Sequence, residues 1–456
     1  MTRIEKDTLG QLDIHDDALY GIHTQRAVNN FPKSRLGNYL YFYKALSQVK
    51  LGAALANLEL GFLAKDIGQA LVSALQEMVS GQWFDSFIVD PLQGGAGTST
   101  NMNINEIAAN RATELLGGQM GEYLVDPLLH VNLHQSTNDV YPTALKIAAL
   151  YFLNDLENAA NHLLQSFQKK EQEFDHIIKL GRTELMPAVP YTLGREFSAF
   201  ADAIGRDRWR IFKCTERIRQ INMGGTAIGT GLTAPRKYIF LVSEKLKEIT
   251  GQPLARAENL VDATQNHDQI AEVFAMIKVF AINLEKISGD IRLLTALNEI
   301  ILPRVQAGSS IMPGKYNPVI PEMVSTAAKK VIGNELTATL AISHGELELN
   351  AFLPLVAYTL FESCDILTQA VSLFNEKCVI GIEAHGNNCL KNLLVSPTST
   401  TILLPEIGYK KASEVAEYMI NNSVDLIEAV NILEPVSNER LQELLIAERI
   451  NALGHE

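Results

Sequence analysis

Cysteine is scarce in this chain. Its 456 residues include four, Cys214, Cys364, Cys378 and Cys389, and none forms a C-x-x-C pair. That spacing supports neither a zinc knuckle nor a disulfide framework and suits a reducing compartment. Positive charge is also in deficit. The formal net charge is −13, which argues against a basic nucleic-acid or membrane face as a global feature. A small anionic substrate met by local charge stays open. No uninterrupted apolar run reaches membrane length, and the opening MTRIEKDTLG lacks the apolar core of a signal peptide. These absences predict a cytoplasmic protein with no nucleic-acid and no membrane partner. Alternating strand runs are nearly absent, so βαβ units and a dinucleotide fold fit poorly.

Long amphipathic helices are what the chain does contain. Apolar residues make up 47% and charged residues 20%, a soluble globular balance, and the length allows about two or three domains. In 147–175, Leu150, Leu153, Leu156, Leu163 and Phe167 recur at mostly three- and four-residue steps. Residues 268–294 repeat the pattern through Ile270, Phe274, Ile277, Ala281, Leu284, Ile287 and Ile291. Stretches 322–344 and 350–380 also read as helices. Helices this long exceed the globular norm and predict a mostly α-helical bundle. Residues 1–40 are mixed and turn-rich. From about 391 the chain reads as a small helical appendix, with Ser437 placed to cap a short final helix.

Four polar, glycine-bearing stretches interrupt the helices: 92–103 (LQGGAGTSTNMN), 132–142 (NLHQSTNDVYP), 221–236 (INMGGTAIGTGLTAPR) and 306–322 (QAGSSIMPGKYNPVIPE). Their shared character suits convergence on one polar pocket; ordinary bundle connections are the alternative. The first is not a phosphate loop, since it has neither the Gly-Lys-Ser/Thr ending nor the G-x-G-x-x-G spacing. In the last, Gly308 and Gly314 bracket two serines and precede Lys315 and Asn317. Such a segment can close as a lid, bind a carboxylate through Lys315 and bring a serine over it. The bland alternative is a rigid turn set by Pro313 and Pro318.

Gly308, Ser309, Ser310, Met312, Pro313, Lys315 and Asn317 match the signature G-S-S-x-M-P-x-K-x-N of the aspartase/fumarase superfamily, which this chain resembles. The resemblance extends to GIHTQRAVNNF, the 92–103 stretch, QSTND (135–139), GRT (181–183) and GGTAIGTGL (224–232), and so spans nearly the whole chain. It implies a mostly α-helical three-domain fold, here 1–138, 139–390 and 391–456, with a long central helix bundle. It further implies a homotetramer with a twenty-helix core and active sites shared by three subunits. Ser309 then resembles the base that takes the C3 proton, and Lys315 and Asn317 ligands of a substrate carboxylate. Thr98, Ser136, Thr137, Asn138 and Thr183 resemble the polar cradle of a small dicarboxylate or amino-acid substrate, the glycines of 92–103 letting backbone N–H groups approach it. Removing a proton beside a carboxylate calls for oriented donors to hold an aci-carboxylate. That chemistry explains hydroxyls and amides in place of a histidine pair.

Within the superfamily the chain is most similar to the aspartate branch, which implies reversible elimination of ammonia from L-aspartate to give fumarate, a carbon–nitrogen lyase reaction. Gln-Gly-Gly-Ala-Gly-Thr at 93–98 departs from the Q-T-G-S-G-T of fumarases, and Asp126, Leu128 and Leu129 do not rebuild the fumarases' accessory dicarboxylate site. A class II fumarate hydratase, another C–N lyase of the fold and an inactive homologue are the alternatives. No organic cofactor and no metal is expected, and divalent-metal activation is not predicted. His130 and His134 are four apart, but no third ligand is near in sequence. The chain departs from the pattern at Glu184, where His or Gln is usual. Glu184 either selects an ammonium-bearing substrate, is tied down by Arg182, or points away.

Overall fold

The computed structural model describes residues 1–454 and divides into two compact units. The first comprises Met1–Glu157, Arg210–Lys278 and Lys330–Ile366, and the second Asn158–Trp209, Val279–Lys329 and the chain from Leu367 onward. The four expected long helices are present with moved ends, at Thr137–Glu173, Asp268–Ala296, Val319–Ile342 and Leu353–Lys377, and a further one, Leu193–Ile218, joins them. The 137–173 helix begins well before the expected 147, so Thr137-Asn138-Asp139 form its first turn. Pro142 lies inside it. Proline lacks the N–H that would bond the carbonyl four residues back, and so the Asn138 carbonyl is released from the helix ladder.

In the first unit, Leu40–Glu59 is buried nearly all round, through Phe42, Tyr43, Leu46, Val49, Ala53 and Ala56 among others. A helix apolar on every side belongs in a core. Lys50 is its one buried charge, beside buried Ser47, Gln48 and Asn57. The N-terminal hairpin Thr2–Asp7/Gly10–His15 is held to the helix Ile22–Asn30 by a bidentate pair, Arg26 to Asp7 at 2.7 and 2.7 Å. Buried Glu106 accepts from the backbone N–H of Gly21, His23 and Thr24 and from the Thr24 hydroxyl. With Glu5, which accepts from the Ile22 N–H, the carboxylate thereby satisfies orphan donors at that helix start.

In the second unit, the hairpin Ile178–Thr183/Met186–Thr192 carries a bulge between Leu180 and Arg182. Phe167, Phe174, Phe197, Phe200 and Phe374 pack together at ring separations of 5.2 to 6.2 Å. The C-terminal segment has its own core of Leu403, Val415, Met419, Leu426, Ala429, Val430, Leu441 and Leu444, and Ser437 caps Asn438–Leu444 as expected. The hairpins correct the expectation of almost no strand. Met186–Thr192 carries two prolines, which disguise it in sequence but are tolerated in a two-stranded piece with a free edge.

Candidate active site

The candidate residues are divided between the two units: Thr98 and Ser136–Asn138 in the first, the Ser309–Asn317 loop and the Thr183–Glu184 hairpin tip in the second. In the first unit, Gly95, Ala96 and Gly97 all take left-handed backbone, at φ 82°, 54° and 91°. This tight turn leads into the helix Thr98–Leu115. A Cβ on Gly97 would lie 2.2 Å from the Tyr141 ring, so only glycine fits. Thr98 is exposed at the helix start. Its N–H and hydroxyl both bond the Gly95 carbonyl, at 3.0 and 2.9 Å. The N–H of Thr100 goes to Gln93 Oε1 and that of Asn101 to the Gly97 carbonyl. The glycines therefore serve the turn and the approach of Tyr141, while the N–H groups of Thr98, Thr100 and Asn101 are engaged within the segment itself.

Ser136, Thr137 and Asn138 lie where the 137–173 helix begins. Ser136 Oγ accepts from the Asn138 N–H at 3.2 Å. Asn101 Nδ2 donates to Thr137 Oγ1 at 3.2 Å, which joins the two helix starts. Asn132 Oδ1 is a shared acceptor beside them, receiving Asn101 Nδ2, Asn105 Nδ2 and Lys50 Nζ at 3.1, 3.2 and 2.9 Å. Beneath the segment lies Asp139, fully buried. Its Oδ1 accepts from the Ser136 N–H, and its Oδ2 from those of Gly224 and Thr226. Burial pushes this carboxyl up to about 6, against the pull of those donors and of Lys50. Burial likewise pushes Lys50 down to about 7, opposed by the charge of Asp139.

In the second unit, Ser309, Lys315 and Asn317 share one loop, largely exposed, ahead of the helix Val319–Ile342. Ser309 Oγ accepts from the backbone N–H of Ile311 and Met312 at 3.1 and 2.9 Å. The loop closes on itself: Gly308 N donates to the Lys315 carbonyl at 2.8 Å, and Asn317 Nδ2 to the Gly308 carbonyl at 2.8 Å. A Cβ on Gly308 would come within 2.7 Å of that Lys315 carbonyl, so this glycine permits closure of the loop upon itself. Lys315 and Asn317 are exposed, and Arg304 stacks over the Tyr316 ring at 4.5 Å.

Thr183 and Glu184 occupy the tip of the 178–192 hairpin. Glu184 and Leu185 form its two-residue turn at φ 54° and 66°, the left-handed pair such a tight turn requires. Neither is glycine, and Leu185 is 71% exposed, so the tip holds backbone strain. Arg182 does not tie Glu184 down. Its guanidinium bonds Glu299 at 2.8 Å instead, and Lys179 bridges Glu299 and Glu196 at 2.8 and 2.5 Å. Burial works to raise Glu299, but Arg182 and Lys179 outweigh it and leave the carboxyl below its ordinary value.

His130 Nδ1 accepts from the Asp126 N–H at 2.9 Å, and His134 Nδ1 lies 2.7 Å from Asn57 Oδ1. His130 lies in the single π-helical turn Pro127–Val131, and His134 follows at the end of a turn with left-handed backbone. That is not the single α-helical face their spacing suggested. Among the described residues no cluster of three His, Cys, Asp or Glu could hold a metal. Two cavities of the second unit, of about 710 Å3 beside Arg440 and Arg449 and about 480 Å3 beside Lys179 and Tyr191, are lined by none of the candidate residues. Sequence reasoning missed Lys50, Asn132, Asp139 and Asn222. A lone lysine inside SQVKLGAALAN, otherwise uncharged, was the available signal for the first.

The lyase family model matches residues 10–333. The chain is 45% identical to an aspartate ammonia-lyase of Bacillus sp, over 97% of this chain and 96% of that one. It is 42% identical to the aspartate ammonia-lyase of Escherichia coli strain K12, over 94% and 91%. Among solved structures, a fumarate lyase:delta crystallin from Brucella melitensis bound to cobalt superposes with a TM-score of 0.96 at 41% identity, covering 99% of this chain and all of that one. A class II fumarase from Schistosoma mansoni gives 0.91 at 30% identity, covering 98% of each. The chain belongs to this lyase family, that of the aspartases and fumarases.

Proposed function

We propose that this protein is an aspartate ammonia-lyase, eliminating ammonia reversibly from L-aspartate to give fumarate. The observation that carries the reading is the environment of Ser309, whose Oγ receives two backbone N–H bonds on an exposed loop that also presents Lys315 and Asn317. Donors aimed at an oxygen favour its anionic form, and an alkoxide is what a serine base requires. The relatives at 45% and 42% identity carry that activity in their names, whereas the fumarase neighbour stands at 30%.

In this mechanism Ser309 removes the C3 proton of L-aspartate. The C–H electron pair moves into the adjacent carboxylate, which becomes an aci-dianion. Lys315 and Asn317 bind carboxylate oxygen, and Thr98, Ser136, Thr137, Asn138 and Thr183 hold the rest of the substrate. Collapse of the dianion forms the C2–C3 double bond and breaks the C2–N bond, releasing ammonia and fumarate. The electron sink is the substrate's own carboxylate, so the reaction calls for no organic cofactor and no metal. Glu184 meets the substrate ammonium in this reading.

The domain division at 138 and 390 belongs to the proposal, supported at its C-terminal end by the separate core there. So does a cytoplasmic homotetramer whose sites draw on three subunits. The exposure of Thr98, Thr183, Lys315 and Asn317, none of them lining the two cavities, supports completion of each site by further copies. No helix of the described residues is long and apolar enough to cross a membrane. The test is direct: incubate the protein separately with L-aspartate and L-malate and follow fumarate absorbance. Faster fumarate release from L-aspartate is expected; faster release from L-malate would overturn the substrate assignment in favour of a hydratase.

A further inference from the structure

We infer that Asn222 and Asp139 are positioning residues, a buried clamp through which the glycine-rich 222–227 loop fixes the Ser136–Asn138 segment for substrate. The inference rests on the lyase reading for what that segment binds; the clamp itself rests on hydrogen bonds within the first unit. Its origin is Pro142. Because that residue has no N–H, the Asn138 carbonyl lacks its helical donor. Asn222 Nδ2 supplies one at 2.9 Å, and its second N–H bonds Thr264 Oγ1 at 2.9 Å. Its Oδ1 accepts from the Thr143 hydroxyl at 3.3 Å. Asn222 is 1% exposed, and both of its amide N–H groups and its oxygen are engaged.

Asp139 works from the other side. One oxygen holds the Ser136 N–H at 3.0 Å, and the other holds those of Gly224 and Thr226 at 3.1 and 2.9 Å. Gly224 and Thr226 take φ 89° and 55°, so the loop turns both N–H groups onto one oxygen, as an anion-binding nest does. In return Asn138 Nδ2 donates to the Ala227 carbonyl at 2.7 Å. The loop itself has little room to move. A Cβ on Gly229 would lie 2.4 Å from the Leu260 backbone, and one on Gly224 2.9 Å from the Ile239 side chain. A packed loop therefore grips the backbone on both sides of Thr137, and with their oxygens accepting from Asn138 N–H and Asn101 Nδ2 the Ser136 and Thr137 hydroxyls keep an O–H each to donate to substrate. Binding groups need placement within about 0.5 Å, and a shift of about 1 Å can reduce rate roughly a hundredfold.

The experiment is a cycle between Asn222→Ala and Pro142→Ala, read by steady-state kinetics and by hydrogen exchange of the 134–140 amides. Asn222→Ala orphans the Asn138 carbonyl. It should raise KM for L-aspartate and weaken fumarate inhibition together by about tenfold, with a smaller change in kcat. Pro142→Ala returns a helical N–H to the same carbonyl, so in that background Asn222→Ala should raise KM several-fold less. Asp139→Asn provides a second route should the alanine variant fail to fold. Its amide can accept from Gly224 and Thr226 only by turning an N–H against that of Ser136, so it should also raise KM. Equal effects of Asn222→Ala in both backgrounds, or an unchanged KM in Asn222→Ala and Asp139→Asn, would overturn the clamp. Wild-type turnover of L-aspartate separates the two levels. If it is absent the lyase reading fails, and exchange decides the clamp alone: faster exchange of 134–140 in Asn222→Ala supports it, and unchanged exchange overturns it.

Discussion

A serine hydroxyl is a poor base at neutral pH, and the two N–H groups on Ser309 Oγ are what this chain offers to change that. Ser309→Ala should lower kcat by on the order of 10^2- to 10^4-fold, the range for a general base. Circular dichroism and assembly should stay unchanged, because the loop is exposed and packs no core; near-wild-type turnover would place the base elsewhere. Lys315→Ala should act mainly on capture, raising KM by about tenfold or more for loss of a charged hydrogen bond. Glu184→Gln keeps shape and removes charge, so it should harm aspartate turnover more than fumarate inhibition; an unchanged ratio would show a side chain pointing away. Asp139 adds a pH signature. Its folded value of about 6 lies above the ordinary 3.8, so the native state binds the extra proton between them. Lowering pH through that window therefore stabilises the fold through this group, yet it removes the negative charge that holds the Ser136 N–H. Lys50 and the Tyr238 hydroxyl are the other titratable groups acting on it. KM should rise below about pH 6 with no matching fall in melting temperature from Asp139, and that limb should vanish in Asp139→Asn. Ser309, Lys315 and Asn317 were legible in sequence because they share one contiguous motif. Asp139 and Asn222 were not, because their partners, Gly224 and Thr226 for the one and Asn138 for the other, lie 84 to 87 positions away in the chain, and the role of Asn222 exists only once Pro142 has stripped a donor from the helix.

The turn before Thr98 separates two demands on glycine that sequence runs together. Gly95 and Gly97 both have positive φ, but a Cβ on Gly95 meets nothing within 4 Å, while one on Gly97 runs into the Tyr141 ring. Gly95→Ala should therefore lose only the left-handed backbone preference, about 1 kcal/mol. Gly97→Ala should lose that and also displace the start of the Thr98–Leu115 helix, with a melting temperature clearly below that of Gly95→Ala and a larger loss of kcat/KM. Equal effects would mean that Tyr141 moves aside freely. The 178–192 hairpin has a different anchor. Glu299→Ala leaves Lys179 and Arg182 facing each other without their shared carboxylate, a change that typically destabilises by about 3–5 kcal/mol when buried. Thermal unfolding and faster exchange across 178–192 should report it. Helical periodicity revealed the long helices, since every third or fourth position is apolar. Their starts were hidden because Thr98 and Thr137 open helices inside polar, glycine-bearing text that reads as loop. The hairpins were hidden by Pro187 and Pro190 and by the charged alternation of TRIEKD.

Each unit leaves apolar helix surface in water. On Val319–Ile342, Leu336 and Leu340 are 59% and 63% exposed and lie one turn apart. On Asp268–Ala296, Ile282 and Leu293 are 49% and 44% exposed at a spacing that keeps one face. Burying such side chains fully is worth about 1.5–3 kcal/mol each, so pairing these faces between copies gives a tetramer a clear driving force. Light scattering at micromolar concentration should show four copies, and a monomer would remove the basis for shared sites. Leu336→Glu with Leu340→Glu should reduce assembly and activity together. A sharper test follows from where the candidate residues lie. Asn138, in the first turn of a helix, and Ser309, on a loop, belong to different units, and in the proposed tetramer each site takes them from different copies. Asn138→Ala and Ser309→Ala should each be nearly inactive alone. Unfolded together and reassembled, the two proteins form mixed tetramers in which some sites receive an intact Asn138 helix start from one copy and an intact Ser309 loop from another. Those sites are wild type, so activity should return to a measurable fraction of the native value. If every site were built from a single chain, each would contain one defect whatever the mixture. Activity would then stay at the level of the separate variants, and the shared-site proposal would fall while the lyase assignment stood on its own assay.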